Sequence, residues 1–255
     1  MNRIHIKLFF LGFFIVFIAC KQISGDQKKV APFKSEIPAS YEFEHLIRMP
    51  EIVNDGPFPL LILIHGLGSN EQDLYSFAEH LDKRLLISTV RAPNQIGANR
   101  FSWYDFDLNG GDFIYSFEQL NYSRAKLLKY IEQIKKAYNI DSDSIYIGGF
   151  SQGAIMSLAT ALNHSDIIAG AMVLSGDLLD EVEAELNSKK INEKLSIYMS
   201  HGRRDPVLTF AEAEKDAKYL DKLNINFEEH WFDSKHTIST ENFISMNQWL
   251  TAQLQ

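Results

Sequence analysis

The chain has 255 residues, 45% of them hydrophobic, with 18 Phe and 10 Tyr, enough apolar surface to bury one sizeable core. Its formal charge is −8 and no Lys/Arg cluster stands out, which argues against nucleic acid and anionic lipid surfaces and leaves a neutral or cationic substrate as the expectation. Cys20 is the only cysteine, so an intramolecular disulfide and a cysteine-based metal site are both excluded.

The first element reads as a leader. "MNRIHIK" is a short basic start, "LFFLGFFIVFIA" is an apolar run of 12, and Cys20 follows directly. Twelve residues are too few to span a bilayer, which takes about 20, but they suit the apolar part of a secretory signal. A small residue, Ala19, followed by cysteine resembles the bacterial lipoprotein signal, in which the cysteine is lipidated and becomes the new N-terminus. Residues 1–19 are therefore expected to form a signal peptide, Cys20 to carry a lipid anchor, and residues 20–40, polar with two prolines, to act as a tether. The expected location is a membrane-anchored lipoprotein facing the periplasm or cell surface.

Residues 41–255 read as one α/β domain. "YEFEHLI" and "PLLILIH" are strand-like, "EQDLYSFAEHLDK" has helical spacing, and "LLISTV" reads as a buried strand. The helix "NYSRAKLLKYIEQIKKAY", the strand "DSIYIGG", the helix "QGAIMSLATAL" and the strand "IIAGAMVLS" come next. A helical "EVEAELNSKK" precedes strand "LSIYMSH", helix "FAEAEKDAKYLDKL", strand "FEEHWFD" and helix "NFISMNQWLTAQL". Short apolar strands separated by helices imply βαβ units and a mostly parallel sheet flanked by helices. In such sheets reactive groups collect beyond the carboxyl ends of the strands. The connection after "AMVLS" leaves room for one short helix, so no large cap domain is expected.

Within the loops after strands, Ser151 stands in Gly149-x-Ser151-x-Gly153, between a strand and a helix. That setting is the one a nucleophile elbow requires. The serine is held at strained backbone angles, its neighbours two residues away approach each other, and both must be small. The helix start also presents free N–H groups to a developing oxyanion. A serine needs a base, and in this arrangement acid and base follow it in the order Ser, Asp/Glu, His. Asp205, in "HGRRDPVL", and His236, in "FDSKHTI", fill that order in post-strand loops. Asp177, after "MVLSG", is the serious rival acid. His230 falls inside a strand, and His201 is expected to shape the Asp205 loop. No histidine pair has metal-ligand spacing with a third ligand, so no zinc or other metal site is proposed. His65-Gly66-Leu67-Gly68, after an apolar strand, resembles an HG-type oxyanion loop, with the Leu67 and Gln152 backbone N–H groups as the donors.

"HGLGSN", "FSWYDFD", "GGFSQGAIMSLATAL", "HGRRDPVL" and "FDSKHTI" occur in the order seen in the phospholipase/carboxylesterase family, which the chain resembles over roughly residues 56–253. The family includes acyl-protein thioesterases and small bacterial carboxylesterases. The resemblance implies an α/β-hydrolase fold, cofactor-free hydrolysis of carboxylic esters or thioesters, and Ser151 as nucleophile, His236 as base and Asp205 as orienting acid. It also implies that Trp103 lines the substrate site. Thr209 stands where the family commonly has proline, and Ser234-Lys235 where a glycine often precedes the base. The leading expectation is a serine carboxylesterase acting on small or exposed esters. An esterase for feruloyl or acetyl groups on carbohydrate and a non-catalytic binding lipoprotein are the alternatives.

Overall fold

The computed structural model describes residues 38–52, 56–109, 112–186 and 191–255. The expected signal peptide, Cys20 and most of the tether lie outside them. The strands are β1 (His45–Arg48), β2 (Phe58–Ile64), β3 (Leu86–Val90), β4 (Asn94–Gly97), β5 (Arg100–Ser102), β6 (Phe106–Asn109), β7 (Asp112–Tyr115), β8 (Ile140–Phe150), β9 (Gly170–Leu174), β10 (Ser196–Gly202) and β11 (Asn226–Phe232). The helices are α1 (Phe117–Ala137), α2 (Gln152–Asn163), α3 (Asp180–Glu185), α4 (Phe210–Lys222) and α5 (Thr240–Gln253).

Seven strands form one sheet in the order β1-β3-β2-β8-β9-β10-β11. Only β1 runs antiparallel, paired to β3; the other pairs are parallel. Helices cover both faces because the central strands are apolar on both. In β2, Leu60, Ile62 and Ile64 enter one core, while Leu61 and Leu63 enter the other, the alternation that a strand's period of two imposes. The first core is covered by α1 and α2. Helix α1 contributes Leu120, Leu127, Tyr130, Ile131 and Ile134, the stripe expected at helical spacing. Helix α2 is buried from Gln152 through Leu162, so it sits inside the domain rather than on it. The second core is closed by α5 and by the segment Leu74–His80.

Two elements differ from the sequence expectation. The helix expected at "EQDLYSFAEHLDK" is a single 3₁₀ segment, Leu74–His80. Ser76 Oγ donates to the Asp73 carbonyl at 3.0 Å, taking an acceptor that an α-helix would use, and only Leu74 and Ala78 are buried within the segment. The aromatic stretch before α1, to which the sequence reading assigned no strand, forms two small antiparallel hairpins, β4–β5 and β6–β7.

Candidate active site

Ser151 occupies the turn between β8 and α2 with φ 54° and ψ −120°. A positive φ is costly for a residue with a side chain, so the surroundings must hold it there. Ser151 N–H donates to the Leu174 carbonyl at 3.0 Å, and the Ser151 carbonyl accepts from Ala154 and Ile155. Gly149 and Gly153 are needed for space: a Cβ on Gly149 would run into the Gly153 backbone, and one on Gly153 into the Ile64 carbonyl and, at 2.6 Å, the His65 carbonyl. The close approach of β2, β8 and α2 therefore forces the strained serine outward, as the Gly-x-Ser-x-Gly spacing predicts.

The histidine and its acid come from the two neighbouring strands. Parallel pairing of β10 with β11 reaches Gly202↔Phe232 and continues past the strand ends, with Arg203 N–H donating to the Phe232 carbonyl at 2.8 Å and Arg204 N–H to the Ser234 carbonyl at 3.0 Å. A side chain at Gly202 would collide with the Lys235 carbonyl and, at 2.6 Å, the Ser234 carbonyl. This zipped pair of loops brings His236 Nδ1 to 2.7 Å from Asp205 Oδ2. Asp205 is buried, and its other oxygen accepts the Val207 and Leu208 N–H groups at 2.8 and 3.1 Å. The backbone donors thus fix the carboxylate's orientation through one oxygen and leave the other for the imidazole. His201 shapes this loop: its Nε2 donates to the Leu208 carbonyl at 2.9 Å, and burial holds its imidazole below the ordinary range, in the neutral form.

The His236 ring packs on Phe150, the residue before Ser151, with centroids 4.8 Å apart. The structure therefore brings Ser151, Asp205 and His236 to one end of the sheet. Asp177, the rival acid, points elsewhere. It faces Asp216 of α4, whose Oδ2 accepts the Leu178 N–H at 2.8 Å. Burial, and then the neighbouring Asp177 charge, push the Asp216 carboxyl up to about 9, and burial followed by Glu212 raises Asp177. His230 is stacked on Tyr198 at 4.6 Å within the sheet region.

Leu67 and Gln152 both line the small apolar pocket at Ser151, together with Tyr104, Phe106, Tyr115 and Val207. Among the described residues neither the Leu67 nor the Gln152 backbone N–H is used in a hydrogen bond. His65 is not a second base: Nε2 accepts the Ala92 N–H at 3.1 Å, Nδ1 lies 2.7 Å from the Gly66 carbonyl, and burial lowers its pKa.

Trp103 requires a correction. It is fully buried, and it does not line the pocket. Its indole Nε1 donates to the His65 carbonyl at 2.9 Å, and its ring packs against Phe43, so its surface is consumed internally. The wall is made by the next aromatics, Tyr104, Phe106 and Tyr115. The sequence reading missed them because it assigned no elements to this stretch, where Phe106 and Tyr115 stand on the β6–β7 hairpin and Tyr104 just ahead of it. The string "LNGGDF" held the signal, since a Gly-Gly pair between two short strand-like runs favours a two-residue hairpin connection.

Of the two departures from the family pattern, Thr209 has a role of its own. It caps α4, its hydroxyl accepting the Glu212 N–H while Glu212 Oε2 accepts the Thr209 N–H at 2.6 Å. Ser234 and Lys235 supply the carbonyls that pack on Gly202.

A mostly parallel sheet, with a strained serine between strand and helix and a histidine–carboxylate pair from adjacent loops, defines an α/β-hydrolase. The solved Bacillus cereus carboxylesterase superposes on this fold with a TM-score of 0.70 at 23% identity, covering 83% of this chain and 94% of that one. Arabidopsis thaliana SOBER1 gives 0.65 at 20% identity, covering 77% and 99%. A sequence model of the phospholipase/carboxylesterase family matches residues 51–254, and the chain belongs to that family. Acyl-protein thioesterase 1 of Neurospora crassa is 30% identical over 216 residues, 76% of this chain and 86% of the relative. The Mycosarcoma maydis protein of the same name is 28% identical over 192 residues, 64% and 76%. The protein is accordingly an ester hydrolase of the carboxylesterase/thioesterase kind.

Proposed function

We propose that the protein is a serine carboxylesterase in which Ser151, His236 and Asp205 act as a triad. The observation that carries this reading is the 2.7 Å His236–Asp205 bond beside a serine held at φ 54°. Ser151 Oγ attacks the ester carbonyl as His236 Nε2 takes its proton. The Leu67 and Gln152 N–H groups stabilise the oxyanion. The alcohol leaves with the proton from His236, and water then hydrolyses the acyl-enzyme by the same route. Asp205 fixes the Nδ1–H tautomer and stabilises the imidazolium.

Small or exposed esters suit the site best. Residues 175–195 join β9 to β10 and contain only the short α3 among the described ones, and the rim residues Leu67, Phe106 and Val207 are 40%, 36% and 45% exposed. The aromatic wall supports feruloyl esters as a second reading. Export as a lipoprotein anchored at Cys20 completes the proposal and rests on the sequence alone. The test is a soluble form starting after Cys20, beside Ser151→Ala, assayed on p-nitrophenyl esters from acetyl to dodecanoyl, with feruloyl and acetylated-sugar esters alongside. Turnover lost in the variant supports a serine esterase, and the preferred ester sizes the pocket. A folded wild-type protein that turns over none of them sinks the reading in favour of a binding role.

A further inference from the structure

The side chain of Gln152 has no part in the mechanism just given, which uses only its backbone N–H. It is nevertheless buried and saturated with partners. Its Oε1 accepts the Trp103 backbone N–H at 2.9 Å, and its Nε2 donates to the Tyr104 carbonyl at 2.8 Å and to Ser102 Oγ at 3.2 Å. Ser102 Oγ in turn donates to the Tyr104 carbonyl at 2.6 Å. The first residue of α2 thus grips Trp103 and Tyr104 by their backbone and Ser102 by its hydroxyl.

Residues 101–103 grip the oxyanion loop in the same way, from both sides of Leu67. On one side the Trp103 indole N–H donates to the His65 carbonyl at 2.9 Å. On the other, Gly68 N–H donates to the Phe101 carbonyl at 2.8 Å and Phe101 N–H to the Ser69 carbonyl at 3.0 Å. Ser123 of α1 anchors the middle of the assembly, its hydroxyl donating to the Trp103 carbonyl at 2.6 Å. The two N–H groups that would receive the oxyanion belong to loops that are not covalently close. A chain of buried hydrogen bonds connects them: Gln152 amide, Trp103 backbone, Trp103 indole, His65 carbonyl.

We propose that the Gln152 side chain and the Trp103 indole are positioning residues that set the spacing of the two oxyanion donors; this rests on the serine-esterase reading above. Preorganised donors stabilise a transition state only if they stand where its charge develops, and losing one costs about 10²–10³ in rate. A displacement of about 1 Å has an effect of about 10²-fold. Because the ground-state carbonyl demands less of these donors, the cost falls on kcat and not on KM.

Gln152→Met keeps the length and the backbone N–H and removes every side-chain hydrogen bond. Trp103→Phe keeps an aromatic ring in the same packing and removes the indole N–H, and it carries the same test if Gln152→Met does not fold. For both, kcat and KM are measured on the best p-nitrophenyl ester. The tetrahedral adduct with an alkyl trifluoromethyl ketone is also titrated by ¹⁹F NMR, which reads the pKa of its oxyanion directly. The expected result is a kcat lower by about 10²-fold for Gln152→Met and by about tenfold for Trp103→Phe, with KM within about threefold. The adduct oxyanion should titrate at higher pH in each variant. A kcat that stays at the wild-type value, or a loss confined to KM with the adduct pKa unmoved, overturns the inference while the esterase reading stands. A wild-type protein without turnover or adduct overturns both.

Discussion

Two aspartates stand three residues beyond the ends of neighbouring parallel strands: Asp177 after Leu174 of β9, and Asp205 after Gly202 of β10. By position they are equivalent, and each is a fair candidate to orient a histidine. Their surroundings separate them. Asp205 accepts two backbone N–H groups and the His236 imidazole, an environment that suits a carboxylate. Asp177 shares a buried site with the carboxyl of Asp216, with Glu212 adding further negative charge and Lys215 offsetting part of it. Two like charges cannot both be desolvated side by side, so that pair retains a proton. One loop is built to display a charge to its neighbour, the other to suppress one, and helix α4 serves both. Its capped start follows the Asp205 loop, and its Asp216 binds the Asp177 loop.

The comparison breaks first at the acids themselves. Asp205→Asn should lower kcat by about 10⁴-fold by offering His236 the wrong tautomer partner, whereas Asp177→Asn should leave kcat within a few-fold. Steady-state kinetics on one ester decides it, and equal losses would mean the roles have been misassigned. Gly202→Ala should act next most strongly. A methyl group against the Ser234 and Lys235 carbonyls pushes the histidine loop outward, at about 10² in kcat and about 1–3 kcal/mol in stability, read by kinetics and urea unfolding together.

The suppressed pair makes a prediction about stability. In the folded protein Asp216 holds its proton to about pH 9, whereas an unfolded aspartate releases it near 4. Between those values the folded state binds more protons than the unfolded one, so stability falls as pH rises from about 4 to 9. Asp216→Asn keeps the acceptor for Leu178 and gives Asp177 a permanent donor. It should flatten that slope and raise Tm at pH 8 by about 2–4 °C for each kcal/mol relieved; a lower Tm at pH 8 would contradict the shared proton. The smallest effect is expected from Thr209→Ala, which removes the α4 cap. It should cost about 1 kcal/mol with kcat little changed, as thermal unfolding and an esterase assay would show.

Much of this protein is written in local sequence. The Gly-x-Ser-x-Gly string between a strand and a helix implies the elbow because only glycine tolerates the contacts at 149 and 153. The order of Ser151, Asp205 and His236 follows from which loops succeed which strands. Continuous apolar runs such as "LLILI" in β2 determine a sheet covered on both faces. What tertiary structure alone decided are matters of neighbours. Whether Asp177 or Asp205 faces the histidine depends on Asp216, 39 residues beyond Asp177 in the chain. Trp103, which the family resemblance implied as a wall of the site, has its indole turned to the His65 carbonyl instead, and Tyr104, just after β5, takes the wall together with Phe106 and Tyr115 of the β6–β7 hairpin. Periodicity and spacing report what a segment does along its own axis. Burial, charge and hydrogen-bond partnership arise between segments distant in the chain, and they determine which of two similar residues meets the histidine.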